Sequence, residues 1–495
     1  MAAVSPRAEA SPVRLRSGRL ARAAGWLSQE ALLVGVFATV ATIWSLDLGG
    51  SLRADSWLTL LGGREILAHG LPRHDTLAIV SRGRSWIDQQ WLSQLGFYGL
   101  DRLGGIGAVV RANAILYLAP LWVSLLAARR RGASPARVVV VALPAFLLTE
   151  TFVRAQVLSQ LLFVALFLLL VAESRRPSRR VLLVVPLLVV WANLHGAVVV
   201  GAALTALLGA VELVRGRGRS LFRPAALLVV PWLCVFATPY GFSVAGYYSS
   251  TIGNPLLAKY ITEWASPTFP SAWGVPFFGL AFLAACLVAR RPRRLNAFEL
   301  LALGLTLVGG LLAIRSIVWF VYVCTILLPA LLEDVWPAPA TAAPTPRERT
   351  VRVGAALACL ALFVVVWARP VAPDTERWPA QASATVAAAL RQDPQATVLA
   401  NDEYADWLLW RVPSSRGRIA FDGRWEILSR RQFEAAMRFL HQDGPGWAGI
   451  ARGYRVLVLD PGKEKRLVAT YAARRDWRVL FRAKKVVVLE RTRGL

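Results

Sequence analysis

Cysteine is scarce in this sequence, and its placement excludes two kinds of stabilising site. Only four of the 495 residues are cysteines, and all four stand within apolar runs without a Cys-x-x-Cys pair: Cys234, Cys286, Cys324 and Cys359. A disulfide framework or a structural zinc site needs paired or closely spaced cysteines. We therefore expect these residues to be small core side chains.

Acidic residues are also few. The chain has 30 Asp and Glu against 57 Lys and Arg, which leaves a net charge of +27. A strongly basic chain can bind nucleic acid, but here the arginines stand in short clusters at the ends of apolar runs. The positive-inside rule of membrane proteins predicts arginines at those positions. Nucleic acid is therefore not an expected partner.

Long apolar runs are what the sequence has in abundance, since 56% of its residues are hydrophobic. A helix needs about 20 apolar residues to cross a bilayer. We predict eleven membrane helices, near residues 29–48, 104–128, 136–152, 156–173, 180–194, 196–214, 222–239, 274–289, 297–314, 316–333 and 351–368. Every second connecting loop is basic, so the amino terminus is expected in the cytoplasm and the carboxyl terminus outside. The chain is expected in the cell membrane, with membrane lipids as partners.

The loops assigned to the outer face carry most of the unusual polar residues. These are the loops 49–103 and 240–273 and the turns at Arg154, Asn193–Gly196 and Ile314–Ser316. In the first loop, residues 56–69 predict a short amphipathic helix with an apolar side available to lie along the membrane surface: Trp57, Leu60, Leu61, Ile66 and Leu67. Trp86 is expected to be an interfacial anchor.

From about residue 378 the pattern changes to short apolar strands that alternate with amphipathic stretches. The predicted strands are 396–400, 418–422, 455–459, 477–481 and 485–490. Such alternation predicts a small α/β domain with a mainly parallel sheet and an antiparallel closing pair. The expected organisation is a cytoplasmic basic tail at 1–28, an α-helical membrane bundle at 29–369 and an extracytoplasmic α/β domain at 370–495.

Two polar segments of this last region, Asn401–Tyr404 and Asp422–Trp425, follow the ends of predicted strands. Ligands of open α/β sheets bind at such ends. The region contains no Walker A loop and no Gly-x-Ser-x-Gly elbow. Its sequence therefore gives little support to a P-loop nucleotide site or a serine hydrolase.

Each unusual polar residue of the outer face has a structural and a functional explanation. Arg154 and Arg315 are either helix-end anchors or phosphate ligands, because a guanidinium matches phosphate oxygens. His195 is either a satisfied interfacial histidine or a functional group at membrane depth, where ionisable residues are costly. Glu263 is either a loop brace or a second acid of a site. Asp55 either pairs with an arginine or acts in the site.

The pattern of these residues resembles GT-C integral-membrane glycosyltransferases, which have an acid soon after the first helix and a soluble domain after the bundle. More narrowly it looks like a group of bacterial multi-spanning proteins, through Asp55-x-Trp57, Gly63-Arg64-x-Ile66, Gly70-x-Pro72-x-x-Asp75, Trp86, Trp91-Leu92, Asn193-x-His195-Gly196 and Asp422-Gly423-Arg424. The resemblance covers most of the chain. It implies a GT-C bundle.

The resemblance also implies an enzyme that moves a sugar from a polyprenyl-phosphate donor to an extracytoplasmic glycan, lipid or protein. Asp55 would be the general base, and an arginine would offset charge on the departing phosphate. The substrate-binding residues would be Arg154, His195, Arg315, Glu263, Asp75, Trp57 and Asn193. The commonest family form has two adjacent acids in the first loop, whereas Ser56 follows Asp55 here. A divalent cation stays open as a cofactor, and no metal ligand is assigned.

Two other functions remain open. A transporter or flippase of a lipid-linked sugar would also place arginines near a membrane cavity. The absence of a convincing internal repeat and the concentration of polar residues on one face argue against it. The third alternative is a membrane-anchored interaction module, against which the crowded first loop argues.

Overall fold

The structure of the protein is a computed structural model that describes residues 12–53, 55–148, 152–216, 221–337 and 345–492. The helices are α1 (Pro12–Leu46), α2 (Ser56–His69), α3 (Trp91–Arg130), α4 (Pro135–Leu147), α5 (Gln156–Arg175), α6 (Val184–Leu194), α7 (Val198–Val214), α8 (Phe222–Val235), α9 (Val244–Thr251), α10 (Pro255–Tyr260), α11 (Gly274–Arg290), α12 (Ala297–Leu312), α13 (Ile317–Val335), α14 (Pro346–Trp367), α15 (Ala380–Gln392), α16 (Asp402–Arg411), α17 (Arg430–His441) and α18 (Lys465–Ala472). The strands are β1 (Val398–Ala400), β2 (Val456–Leu459), β3 (Trp477–Arg482) and β4 (Val487–Arg491). Residues 1–11 of the predicted tail lie outside the described residues, and the rest of that tail is the start of α1.

Many of the helices are apolar, as side chains in contact with lipid have to be. These segments are helical because lipid offers no hydrogen-bond partners and a spanning segment must satisfy its backbone groups internally. A helix overlaps each of the eleven ranges predicted to cross the membrane. Five of the described helical segments are long and apolar enough to cross it, by length and composition: Gly25–Leu46, Trp91–Arg130, Gln156–Arg175, Ile314–Val335 and Pro346–Trp367. Five more apolar helices are shorter, with 10–17 residues. The number of eleven spans therefore stays a prediction.

Helix α3 is broken at a pair of glycines. Gly105 has a φ of +63°, in the left-handed region that a residue without a side chain adopts most readily. The part of α3 after the break corresponds to the membrane helix predicted from residue 104. The part before it, which begins at Trp91, belongs to the first loop of the sequence analysis.

The centre of the bundle is α13, which packs against α3, α4, α11 and α12. In the most apolar 18-residue stretch of the segment Ile314–Val335, 83% of the residues are buried inside the protein. Aromatic side chains fill the space beside it, and the ring of Trp319 lies 4.9 Å from that of Phe163 on α5. A helix enclosed in this way faces other helices over most of its surface rather than lipid.

Ion pairs join the helix ends away from the first loop. Glu299, at the start of α12, is fully buried and forms ion pairs with Arg131 at 2.9 Å and with Arg175 at 2.8 Å. It also forms a capping box with Asn296. One carboxylate thus connects the ends of α3 and α5 with the start of α12.

The carboxyl-terminal region contains a four-stranded sheet in the order β1-β2-β4-β3. β1 and β2 are parallel, whereas β2 with β4 and β4 with β3 are antiparallel. The antiparallel closing pair agrees with the sequence analysis. The expectation of a mainly parallel sheet is wrong for these four strands, because β4 lies between β2 and β3 and runs against both. Of the strand predicted at 418–422, only isolated bridges of Ile419 form.

The first loop adds to the edge of this sheet. Ile419 makes parallel bridges to Val398 on one side and to Ala78 on the other. The backbone N–H of Ile79 donates to Ile419 O over 2.8 Å, and that of Val80 donates to Ala420 O over 3.0 Å. The loop between α2 and α3 is therefore hydrogen-bonded to the carboxyl-terminal region.

Helix α2 forms at the predicted residues but has a different environment from the one expected. It packs against α3 and α16. Four of the five side chains expected on the membrane surface are buried: Trp57, Leu60, Leu61 and Ile66. The Trp57 ring meets Trp378 edge-on at 5.5 Å. The expectation of a surface helix is wrong because the carboxyl-terminal region covers its apolar side.

Candidate functional site

A cavity of about 750 Å³ lies where the first loop, the turns between helices and the carboxyl-terminal region meet. Five of the sequence-predicted site residues line it: Asp55, Arg154, His195, Glu263 and Arg315. Asp55, Arg154 and His195 stand in turns beside helix ends, and Glu263 and Arg315 stand in short 3-10 helices at 262–264 and 314–316. Turns leave a side chain free to point into a space that rigid helices enclose.

Four of these residues form a chain of ion pairs. Asp55 Oδ2 lies 3.3 Å from Arg154 Nη2, and Arg154 Nη1 lies 2.8 Å from Glu263 Oε2. Arg315 Nη1 is 3.9 Å from Glu263 Oε1. The two acids and two cations alternate, so each acid is next to at least one guanidinium.

Backbone contacts explain why these distant residues meet. The Ser56 hydroxyl donates to Val153 O over 2.9 Å, which holds the start of α2 beside the residue that precedes Arg154. The backbone N–H of Ile314 donates to Ala265 O over 2.9 Å. This second bond brings the turn of Arg315 to the loop of Glu263.

Arg315 keeps its hydrogen-bonding capacity for a ligand. Its guanidinium lies over the Trp264 ring at 4.2 Å. The distance of 3.9 Å to Glu263 is too long for a hydrogen bond, and no other described side chain forms an ion pair with Arg315. A stacked arginine holds its fork in one orientation, which suits the binding of a phosphate.

Asp55 and Glu263, the two acids of this series of ion pairs, differ in proton affinity. Burial raises the pKa of Asp55 above its ordinary value; Arg154 opposes that rise and Glu263 adds to it. Burial acts in the same direction on Glu263, but Arg154 and Arg315 outweigh it and hold the pKa of Glu263 below its ordinary value. Asp55 is thus the better proton acceptor, and Glu263 keeps its negative charge.

His195 is a neutral group at the cavity wall. Burial lowers its pKa to about 3, and Arg315 and Arg154 add to the effect. Its Nδ1 accepts a hydrogen bond from the Ala197 backbone N–H at 3.1 Å, so the proton of the neutral ring is on Nε2. The neighbouring Gly196 N–H donates to Gln89 of the first loop. His195 can therefore offer one hydrogen-bond donor without adding charge.

Five charged or titratable residues of the carboxyl-terminal region line the cavity although the sequence did not single them out as site residues: Asp402, Glu403, Arg424, Glu426 and Lys463. Lys463 pairs with Glu403 at 3.1 Å. Burial raises the pKa of Asp402 to about 6 and that of Glu426 to about 7. The signal for three of them was present, since Asp402, Glu403 and Arg424 belong to the two polar segments after predicted strands.

Three of the predicted site residues are not part of the cavity wall. Trp57 is buried in the core beneath the carboxyl-terminal region. Asn193 accepts a hydrogen bond from Trp91 Nε1 at 3.1 Å and donates to Ala237 O, so its amide braces two turns. The third, Asp75, is buried too. The positions of these residues favour supporting roles over the predicted contact with substrate.

Asp75 acts on the cavity through Arg424. Its Oδ1 accepts from Arg424 Nη2 at 2.7 Å, and its Oδ2 accepts from Ser81 at 2.6 Å. The Arg424 guanidinium lies over the Trp86 ring at 4.1 Å. Trp86 is only 5% exposed, so the expectation that it anchors the protein in the membrane interface is wrong. It supports a buried arginine instead.

The described part of the chain has no evident site for a divalent cation. Among the described residues, no three His, Cys, Asp or Glu side chains cluster in a way that could hold a metal ion. Hard cations take six or more oxygen ligands or keep several waters beside two carboxylates. Asp55 forms an ion pair with Arg154, a cation in the position that a metal ion would take beside the carboxylate. The residues that the structure describes therefore offer no set of ligands that fits a bound divalent cation.

No protein-family model and no curated protein matches the chain. Among solved structures it is similar to ArnT from Cupriavidus metallidurans in the apo state, with 16% identity over 94% of this chain and 98% of that one and a TM-score of 0.51. The apo oligosaccharyltransferase of Archaeoglobus fulgidus matches 89% of this chain with 71% of its own, at 13% identity and a TM-score of 0.51. AglB from the same organism, in complex with an inhibitory peptide and a dolichol-phosphate, is also similar. The match covers 90% of this chain and 71% of AglB, at 13% identity and a TM-score of 0.51.

These solved proteins are GT-C membrane glycosyltransferases. The chain therefore has the GT-C fold, as the sequence analysis expected, and is a multi-pass membrane protein. At this level of identity the likeness concerns the fold. Chemistry has to be argued from the residues of the cavity.

Proposed function

We propose that this protein is a membrane glycosyltransferase that moves a sugar from a polyprenyl-phosphate donor to an extracytoplasmic acceptor in the cell envelope, which is a glycan, a lipid or a protein. The observation that supports this best is the ion-pair chain Asp55–Arg154–Glu263–Arg315 on the wall of one cavity. A base and phosphate-binding cations are the groups that such a transfer needs. The dolichol-phosphate in the complex of AglB adds support for a polyprenyl-phosphate ligand.

The proposal includes an orientation and a division of the chain. Eleven helices cross the membrane, with residues 1–28 in the cytoplasm, a bundle at 29–369 and an extracytoplasmic region at 370–495. Basic loops alternate with less basic ones along the chain, which supports this orientation through the positive-inside rule. The cavity then opens on the outer face, where a cell-envelope acceptor is present.

In the proposed reaction, a hydroxyl of the acceptor attacks the anomeric carbon of the sugar. The bond from that carbon to the phosphate oxygen breaks, and polyprenyl phosphate leaves with the oxygen and the electron pair. The proton of the acceptor hydroxyl passes to a carboxylate oxygen of Asp55. A carboxylate whose pKa is raised by burial accepts a proton more readily than an exposed one.

The departing phosphate gains one negative charge in this step. Arg154 and Arg315 would stabilise that charge, and the Arg315 guanidinium lies too far from Glu263 to spend a hydrogen bond on it. The Nε2–H of His195 would donate to a phosphate or sugar oxygen. From the carboxyl-terminal region, Asp402, Glu426 and Arg424 would face the acceptor.

Incubation of the purified full-length protein in proteoliposomes with a labelled polyprenyl-phosphate sugar and a cell-envelope fraction tests the proposal. Label that appears on an acceptor supports transfer, whereas intact labelled lipid that only changes leaflet supports the transporter alternative. Asp55→Asn should abolish transfer and retain lipid binding. The matched control is Asp47→Asn, because Asp47 pairs with Arg53 at 3.1 Å and is not part of the cavity wall. Full transfer by Asp55→Asn would rule out Asp55 as the base.

A further inference from the structure

We infer that Glu263 is a specificity residue of the phosphate subsite, which weakens the binding of the doubly charged phosphomonoester product more than that of the singly charged phosphodiester donor. The inference rests on the proposed function and deepens it. It assigns to Glu263 a task that neither general-base catalysis nor direct contact with the sugar covers.

The geometry places one acid between the two cations that a phosphate would use. Glu263 Oε2 is 2.8 Å from Arg154 Nη1, and Glu263 Oε1 is 3.9 Å from Arg315 Nη1. A phosphate bound by these two guanidinium groups therefore lies within a few ångströms of the Glu263 carboxylate. The side chain of Glu263 is 25% exposed, so solvent screens this interaction only in part.

The charges of the donor and of the lipid product determine which of the two Glu263 repels more strongly. The donor is a phosphodiester with one negative charge, whereas polyprenyl phosphate is a monoester whose second ionisation has a pKa of about 6. The repulsion from one carboxylate is proportional to the charge of the ligand, so it is twice as large for the dianion. Glu263 thus favours release of the product relative to retention of the donor.

The carboxylate is suited to this task because it stays charged. Its neighbours Arg154 and Arg315 hold its pKa below the ordinary value against the effect of burial. The other titratable groups beside it do not substitute for it, since His195 is neutral and Asp55 takes up the proton of the reaction. Of the two acids in the ion-pair series Asp55–Arg154–Glu263–Arg315, Glu263 is then the one whose charge is the same before and after the proposed transfer.

A merely structural role would give a different result. If Glu263 only held Arg154 in place, its loss would weaken the binding of the phosphomonoester and of the phosphodiester to a similar degree. Glu263→Gln separates the two roles, because the amide oxygen still accepts a hydrogen bond from Arg154 while the negative charge is gone. The informative quantity is the ratio of the two dissociation constants, not either constant alone.

The experiment measures binding of two probes to the purified full-length protein in lipid nanodiscs at pH 8. One probe is polyprenyl phosphate and the other is its methyl phosphodiester, which has the same lipid and a single charge. In Glu263→Gln the Kd of the monoester, divided by that of the diester, should fall by about tenfold relative to wild type. Glu263→Ala, a second neutral variant, should move the ratio in the same direction, and Glu263→Asp should keep it close to wild type.

A matched control removes a different carboxylate from the same cavity. Glu403 pairs with Lys463 at 3.1 Å and with Arg377 rather than with Arg154 or Arg315, so Glu403→Gln should change the ratio less than Glu263→Gln does. An equal ratio in wild type, Glu263→Gln and Glu263→Ala overturns the inference while the proposed function stands. If the wild-type protein binds neither probe and transfers no sugar, the proposed function itself fails.

Discussion

Arg424 Nη2 donates a hydrogen bond to Asp75 Oδ1 over 2.7 Å, and the two residues are 349 positions apart in the chain. Asp75 belongs to the first loop and Arg424 to the carboxyl-terminal region, and both side chains are almost fully buried. Together with the backbone bonds of Ile79 and Val80, this pair fastens the first loop, which also contains Asp55, to the carboxyl-terminal region at the cavity.

We expect Asp75→Asn to destabilise the protein. The change leaves the Arg424 guanidinium buried with one charge partner, Asp422, instead of two. Loss of one partner of a buried ion pair costs roughly 3–5 kcal/mol, and the remaining Asp422 should reduce that to about 2–3 kcal/mol. Thermal unfolding in detergent measures the effect. The control Asp443→Asn, at an exposed position, should unfold like wild type; equal midpoints for both variants would show that the pair is dispensable.

The pH dependence of transfer should follow the protonation of Asp55. A base has to be deprotonated, so kcat/KM should be lost as the pH falls through the pKa of Asp55, which burial raises while Arg154 opposes the rise. Arg154→Gln removes the opposing cation, so its acidic limb should move to higher pH. Arg154→Lys keeps the charge and should keep the limb near the wild-type position. Identical limbs in the two variants would contradict this assignment.

Arg315→Gln should weaken the binding of polyprenyl phosphate. Hydrogen bonds to charged groups contribute about 1.5–3 kcal/mol each, which corresponds to at least a tenfold rise in Kd. Arg315→Lys should restore part of the affinity, because an ammonium has the charge but not the planar fork that lies over Trp264. Binding to nanodiscs measures the change. Arg53→Gln, outside the cavity, is the control, and an equal loss in this variant would argue against a specific role of Arg315.

Glu299 lies at the start of α12 and is not part of the cavity wall. Glu299→Ala should therefore lower stability without changing the affinity for a phosphate lipid. The substitution leaves Arg131 and Arg175 close together without their shared acid. We expect a loss of about 3–5 kcal/mol, as for other buried pairs that lose one partner. Thermal unfolding and nanodisc binding test both parts. Glu434→Ala, which breaks only the partly exposed pairs with Arg430 and Arg438, should change stability by less than about 1 kcal/mol.

The candidate site shows which of its residues could be predicted from local sequence and which could not. Loop charge indicated that Asp55, Arg154, His195, Glu263 and Arg315 share one face, because basic loops and polar turns alternate along the chain. The same reasoning grouped Asp75, Trp57 and Asn193 with them, and these three are not in the cavity wall. A polar or aromatic residue near a membrane has the same local pattern whether it contacts a ligand or supports a neighbour. Only the packing of distant segments distinguishes the two.

The fold follows the same division. By itself the sequence determined the apolar helices, the bounds of α2 and the alternation of strands and helices after residue 378, since each depends on periodicity within a few turns of chain. Tertiary structure alone decided that β4 lies between β2 and β3, that α2 is covered and that Glu263 lies between Arg154 and Arg315. Many pairings of the same segments are compatible with one local pattern. Contacts between residues far apart in the chain, such as Ser56 with Val153 and Ile79 with Ile419, select among them.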